Sequence, residues 1–336
     1  MAWQNPWYDA AKMHHTPQGF RNPEEELRHP GDLQRWRRER KEQGLPLPPQ
    51  AGYPAFISDW CQPADLSGDD DRIWWLGHAA LLLRVNQRYL LIDPALSQRA
   101  SPLPFVGPQR KTPAPLSVAQ LPHLDYVLIS HNHYDHLDRP TVKRIARQFP
   151  QAHFLVPLGM GDWCRRRGVR HVTQLDWWQS IELAGIHFTA VPARHWSMRS
   201  FFDRNRSLWC GWVVRNTTLN FWFSGDSGYS ENLTTIAQKL GPFNLAALPI
   251  GAYAPKWFMR GQHMDPDQAV QLWQQIGRPV TIPIHWGVFE LADESLDEPP
   301  AVLVQALRTA GETGTDFSPW RIGESRSSPN IDSDLS

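Results

Sequence analysis

Directly after the apolar run Tyr126-Val-Leu-Ile129 the chain reads Ser130-His131-Asn-His133-Tyr-Asp135-His136-Leu-Asp138, placing three imidazoles and a carboxylate within six residues. A strand that ends in such a turn presents two pairs of metal-competent side chains in opposite directions, His131 with His133 and Asp135 with His136. That is the arrangement of a two-metal hydrolytic site. A merely polar surface turn is the competing reading. Burying that much titratable surface in one tight turn without compensation would cost several kcal/mol, which weighs against it.

The surrounding texture is that of short strands alternating with helices. Ile73–Leu76, Ala79–Val85 and Tyr89–Ile92 read as a meander that closes on Asp93-Pro94. After the His-rich turn, Val142, Ile145, Ala146 and Phe149 fall at i, i+3, i+4 and i+7 opposite Lys143, Arg144 and Arg147, which predicts a helix capped by Asp138. Further strands are expected near 153–156, 186–191, 209–214, 219–223, 245–248 and 280–284. One helix ends at Gly241-Pro242, another opens at Asp265-Pro266, and a last one spans about 300–310. Strands grouped in each half and followed by helices suggest two facing sheets with helices outside, an α/β sandwich.

The domain reading is an N-terminal arm over 1–60, one hydrolase domain over 61–324, and a disordered polar tail over 325–336. The arm is rich in Pro, Gly, Arg and Glu. Its basic run Arg35–Lys41 is expected to form a short exposed helix, and Leu45–Pro49 an extended stretch. A solvated arm is the plain expectation; a lipid-headgroup or subunit contact is the sharper one. The pairs Trp74-Trp75 and Trp177-Trp178 are assigned to the core.

Lys and Arg number 34, as do Asp and Glu, so no global field favours nucleic acid, and none is expected as a partner. Three scattered cysteines argue against a disulfide framework or a cysteine zinc site. No leader pattern and no membrane-length apolar stretch stands out, so the expectation is a soluble cytoplasmic protein with at most peripheral membrane contact.

Three more candidate ligands sit where a strand gives way to a loop: His195 after 186–191, Asp226 after 219–223 and His285 after 280–284. With these residues the sequence resembles the metallo-β-lactamase superfamily, whose pattern is His-x-His-x-Asp-His followed by a distant His, Asp and His. More narrowly it is similar to the N-acyl phosphatidylethanolamine phospholipase D branch. The segments that carry this likeness include Trp75-Leu-Gly-His-Ala79, Asp93-Pro94, Phe223-Ser-Gly-Asp-Ser-Gly-Tyr229, Pro249–Tyr253, Trp257–Met259, Gln262-His-Met-Asp-Pro266 and Ile284-His-Trp-Gly287.

The resemblance implies an αββα sandwich with two Zn2+ ions at one edge, other divalent metals being alternatives. His131, His133 and His195 would hold one ion, Asp135, His136 and His285 the other, and Asp226 would bridge them. Asp93, at the end of its strand, can fix the tautomer of a ligand imidazole. His78 has a supporting or substrate-contacting role, and the resemblance places His263 of Gln262-His263 near the substrate phosphate. Asp135, Asp226 and His263 carry the catalytic assignment. Tyr134, Trp196 and Trp286 flank ligands and are expected to wall the pocket.

The expected activity is a binuclear zinc phosphodiesterase of phospholipase D type. It would act on N-acyl phosphatidylethanolamine or a related phospholipid by attack of a metal-bridging hydroxide. The alternative is a lactonase or esterase on a soluble, sugar-phosphate-like substrate. A diiron redox protein is disfavoured because no flavin domain fits in 336 residues, and a homodimer is an option that no pattern decides.

Overall fold

A computed structural model describes residues 3–25, 27–312 and 316–328. The N-terminal segment carries the short strands β1 (His15–Thr16) and β2 (Gly19–Phe20), then helices α1 (Asp32–Glu42) and α2 (Gly52–Trp60). The first half of the body follows with β3 (Arg72–Trp75), β4 (Leu81–Val85), β5 (Arg88–Ile92), β6 (Tyr126–Leu128), α3 (Arg139–Gln148), β7 (His153–Pro157), α4 (Gly161–Arg165) and β8 (His171–Leu175). The second half comprises β9 (Ser180–Leu183), β10 (Ile186–Val191), β11 (Gly211–Arg215), β12 (Asn220–Phe223), α5 (Thr234–Leu240), β13 (Leu245–Pro249), α6 (Lys256–Met259), α7 (Pro266–Gln275), β14 (Val280–Ile284), α8 (Glu298–Thr309) and β15 (Ser325–Ser327).

The main strands form two mixed sheets, one ordered β15-β3-β4-β5-β6-β7-β8 and the other β14-β13-β12-β11-β10-β9. In each, antiparallel neighbours lie on one side and parallel ones on the other, β5 through β8 and β12 through β14 being parallel. Side chains alternate across a strand, and this alternation builds two cores. Ile73, Trp75, Leu81, Leu83, Leu90 and Ile92 face the second sheet in a core shared with Phe188, Trp212 and Phe221. Trp74, Leu82, Leu91, Val127 and Phe154 point the other way, onto Val142 and Ile145 of α3. Burying those two α3 side chains contributes about 1.5–3 kcal/mol each. On the far side, Leu272 and Trp273 of α7 and Leu303 and Leu307 of α8 cover the second sheet. The result is an αββα sandwich.

Four expectations need correction. The segment before residue 61 includes a second helix, α2, which buries Phe56 and sets Trp60 edge-on to Trp286 at 5.1 Å. Its Pro54 lies in the first turn, where a missing amide costs nothing. Ser325–Ser327 form an edge strand, Ser325 opposite Trp74, so the body extends beyond residue 324; the expected disorder of 329–336 lies outside the described residues. Trp178 is 37% exposed, in a left-handed turn (φ 69°) with Lys239 Nζ 4.2 Å above its ring, whereas its neighbour Trp177 is buried. Asp138 stands at the N-cap position of α3, but its carboxylate accepts from the Ser97 and Thr141 hydroxyls and caps no α3 amide. Trp286 packs on Trp75, ring centroids 4.9 Å apart, and also lines a small cavity beside His285. Among the described residues no helix is long and apolar enough to cross a membrane.

Candidate metal centre

Parallel strands deliver their carboxyl ends to one edge, and the chain places its polar residues there. Asp93 follows β5, the His-rich turn follows β6, His195 lies beyond β10, Asp226 beyond β12 and His285 directly after β14. The β3–β4 turn adds His78, held at φ 54° with its carbonyl accepting from the His285 amide at 2.9 Å. Close backbone approach fixes His285 from the other side, since a Cβ at Gly251 would lie 2.2 Å from the His285 carbonyl oxygen.

These residues form two touching groups. In the first, His133 Nδ1 lies 2.8 Å from His131 Nε2 and 3.2 Å from His195 Nε2. In the second, Asp135 Oδ2 lies 2.8 Å from His78 Nε2, 3.2 Å from His136 Nε2 and 3.4 Å from His285 Nε2. Asp226 Oδ2 sits between them, 2.9 Å from His285 Nε2, 3.1 Å from His136 Nε2, 3.6 Å from His195 Nε2 and 3.7 Å from His131 Nε2.

Protons alone do not satisfy this set. His136 Nε2, His285 Nε2 and Asp226 Oδ1 are buried without a hydrogen-bond partner, although carboxylate oxygens crowd the two nitrogens. A buried polar atom left so costs about 1–3 kcal/mol. Zn–N bonds of ~2.0–2.1 Å in a tetrahedron space ligand nitrogens by roughly 3.3 Å, close to the separations within the first group. The donor set therefore fits divalent cations.

Tautomers are set by the next layer of contacts. Asp93 accepts from the Ser130 amide at 2.7 Å and from His136 Nδ1 at 2.7 Å, leaving His136 Nε2 as the free lone pair. The Ser130 hydroxyl also donates to Asp93 and accepts from His131 Nδ1–H at 2.9 Å, so one carboxylate orients two imidazoles. The Gln262 carbonyl does the same for His195 through Nδ1 at 3.0 Å.

Electrostatics divides the two groups. Burial pushes His131 well below the ordinary histidine range and takes His133 and His195 down to about 3, so this trio is neutral, the ligating form. Burial acts on His136 and His285 too, but Asp226 first among the carboxylates overrides it, holding His136 well up and raising His285 to about 9. Asp135 and Asp226 stay far below the usual carboxylate range despite burial, principally through His136. Positive charge is thus demanded around Asp226.

His263 stacks on His285, with centroids 5.0 Å apart, and meets His195 edge-on at 5.1 Å, its Nδ1 unpartnered. Trp196 packs edge-on against His133 at 4.5 Å. The Tyr134 hydroxyl turns away, donating to the Arg199 carbonyl at 2.8 Å, and the side-chain oxygen of Gln262 is buried without a partner. A cavity of about 490 Å³ adjoins His195 and Gln262, with Arg21, Arg28, Arg194 and Arg204 in its wall. Two of these arginines come from the N-terminal segment, a contribution the sequence did not signal. Asn22 holds that segment in place by donating to the His195 carbonyl at 2.8 Å and accepting from its amide at 3.2 Å.

Residues 88–286 match the profile of the β-lactamase superfamily domain. The chain is 39% identical over 254 residues to the N-acyl-phosphatidylethanolamine-hydrolyzing phospholipase D 1 of Caenorhabditis elegans, covering 73% of this chain and 71% of the relative. Among solved structures it is similar to a metallo hydrolase from the archaeon Ignicoccus hospitalis, with TM-score 0.57 and 20% identity over 76% of this chain and 97% of that one. It is also similar to a diiron β-hydroxylase from Streptomyces venezuelae, with TM-score 0.57 and 22% identity over 79% of this chain and 55% of that one. At such identities the structural likeness speaks to the fold alone. The chain belongs to the metallo-β-lactamase superfamily, in its N-acyl phosphatidylethanolamine phospholipase D-like branch.

Proposed function

We propose that this metal-dependent hydrolase is a binuclear zinc phosphodiesterase of phospholipase D type, acting on N-acyl phosphatidylethanolamine or a related phospholipid. The observation that carries the reading is the convergence of His131, His133 and His195 on one side of Asp226, and of Asp135, His136 and His285 on the other, with partnerless buried atoms between. The first trio would hold one cation, the second the other, and Asp226 would serve both. Divalent cations bound there would lower the pKa of a water and offset the charge that develops on a phosphoryl group.

The chain's own residues supply the rest. Asp93, Ser130 and the Gln262 carbonyl keep three imidazoles in one tautomer. His263 faces the same space; neutral in its buried setting, it offers an N–H to the phosphoryl or leaving-group oxygen. Trp196 screens His133 on one flank, and the arginines of the cavity beside His195 suit a phosphate-bearing headgroup. The activity for which the C. elegans relative is named supports the same substrate class. The arginine-walled cavity would equally suit a soluble phosphate-bearing lactone, the second reading.

Elemental analysis of the purified chain, followed by turnover of N-acyl phosphatidylethanolamine, a bis-aryl phosphodiester and a panel of lactones, tests this. We expect about two zinc ions per chain and release of phosphatidic acid. Lactone turnover with neither phosphodiester cleaved would establish the second reading instead, and iron with no hydrolysis would overturn both.

A further inference from the structure

In the reaction proposed above the scissile phosphodiester would sit at the metal centre, so it does not account for the cavity next door. That cavity, of about 490 Å³, is bounded by His195 and Trp196 on one side and by the N-terminal segment on the other. Among the described residues that line it, Arg21, Arg28, Arg194 and Arg204 outnumber Glu24 and Glu25. Guanidinium forks match planar anions, and a wall so composed selects for negative charge.

The local contacts hold these cations without neutralising them. Arg21 Nε donates to the Met13 carbonyl at 2.8 Å, and Arg194 donates to the carbonyls of Tyr229 at 3.0 Å and Glu25 at 3.2 Å. Glu24 commits a carboxylate oxygen to the Ser230 hydroxyl at 2.5 Å and the Asn232 side-chain amide at 2.9 Å, while Glu25 is exposed. The guanidiniums of Arg204 and Arg28 lie 4.7 Å and 5.8 Å over the Trp196 ring, which itself packs on His133. One aromatic ring thus joins the basic wall to the first metal group. Gln262 adds the opposite polarity: its Oε1, buried in the same wall without a partner, is an acceptor for an N–H or O–H.

We infer that this cavity is a subsite for a second anionic group, a carboxylate or a phosphate carried on the headgroup beyond the scissile phosphodiester. Arg21 and Arg28 then make the N-terminal segment a determinant of specificity. An N-acylated ethanolamine headgroup bears no charge of its own and gains little from four guanidiniums. An N-acylated serine headgroup offers a carboxylate to the arginines and an amide N–H to Gln262. The inference rests on the phosphodiesterase reading for its reaction, but its binding arm is read without turnover.

The test uses substrates and ligands that differ in the charge of the headgroup. Turnover of N-acyl phosphatidylserine and N-acyl phosphatidylethanolamine is compared in the same mixed micelles, and binding of glycerophosphoserine, glycerophosphoinositol 4-phosphate and glycerophosphoethanolamine to the full chain is measured by calorimetry. We expect kcat/KM to favour the serine lipid by about tenfold or more, and glycerophosphoserine or the inositol phosphate to bind about tenfold more tightly than glycerophosphoethanolamine. The tighter of the two identifies carboxylate or phosphate as the anion. Arg21→Gln with Arg204→Gln, at two exposed positions, should collapse both preferences, and Arg21→Lys with Arg204→Lys should restore them in part. Arginines with a merely structural role would lower both lipid turnovers alike and leave their ratio unmoved. The inference is overturned by equal kcat/KM for the two lipids when both are cleaved, by equal binding of the three diesters, or by a preference that the glutamine variant keeps. If neither lipid is cleaved but the anionic diesters bind tightly and the glutamine variant loses them, the subsite stands and the proposed reaction alone falls.

Discussion

The chain buries two clusters of histidine and aspartate, and their difference shows what each is for. Around Asp226, nitrogens and an oxygen converge without hydrogen bonds to satisfy them. Around Asp176, every buried polar atom has a partner: His14 Nε2 lies 2.8 Å from one carboxylate oxygen, while His15 Nε2 at 3.0 Å and Lys12 Nζ at 2.6 Å share the other. His15 Nδ1 accepts the Asp9 amide at 3.2 Å, which assigns its proton to Nε2. Both sites draw on histidine and aspartate, the second with a lysine added. The first has a donor set that fits the proposed cations, whereas the second is a clamp that fixes the N-terminal segment to the body.

That contrast breaks most sharply at Asp226. Asp226→Asn should lose bound metal and at least about a thousandfold of activity, several kcal/mol of transition-state stabilisation, with an unchanged far-UV spectrum. Full metal content in that variant would make Asp226 a bystander. Next, His263→Ala should cost about a hundredfold in turnover with both metals retained by elemental analysis; metal loss would make it a ligand. Asp93→Asn leaves every ligand in place but removes the acceptor for His136 and Ser130. We expect metal affinity to fall about 10–100-fold in chelator competition, and an unchanged affinity would confine Asp93 to packing.

At the clamp, Asp176→Asn should leave metal content untouched and destabilise the chain by about 2 kcal/mol, since two imidazoles and a lysine lose their buried acceptor. The measurable signs are a lower Tm and faster proteolysis before residue 25. The smallest effect is that of pH. Burial works to raise Asp176, but hydrogen bonds from His14 and Lys12 hold it well below the ordinary carboxylate value, so its contribution is present above about pH 4 and lost as pH falls through its folded value. Burial lowers His15 despite Asp176, so its share is present above about pH 6.5 and lost on the way down. Both signs agree: acid loosens the segment. Proteolysis that slows on acidification would contradict the assignment.

The two clusters also mark how far sequence reasoning reaches. The sheets were legible because the short apolar runs at 73–92, 186–191, 245–248 and 280–284 are bounded by turns, and the convergence of the candidate ligands because each follows the end of a strand. His14 and His15 were given no role. Their partner lies about 160 residues away, and no local spacing announces a contact of that kind. For the same reason Arg21 and Arg28 were read as a solvated arm and not as walls of a cavity. Strands β8 and β9 escaped because their alternating residues are mostly polar or half-buried, and α2 because the prolines before it suggested extended chain throughout.

The segment from Asn5 to Arg28 reaches its place only through distant partners: Phe20 donates its amide to the Asn205 carbonyl at 2.8 Å, and a Cβ at Gly19 would fall 2.1 Å from that same oxygen. During synthesis these residues leave the ribosome long before Asp176, His195 and Asn205 exist, and must wait for them. The wall of the cavity beside His195 made earliest is thus seated late, so a fusion partner placed ahead of it, or a nascent-chain binder holding it, would delay completion of that cavity without disturbing either sheet.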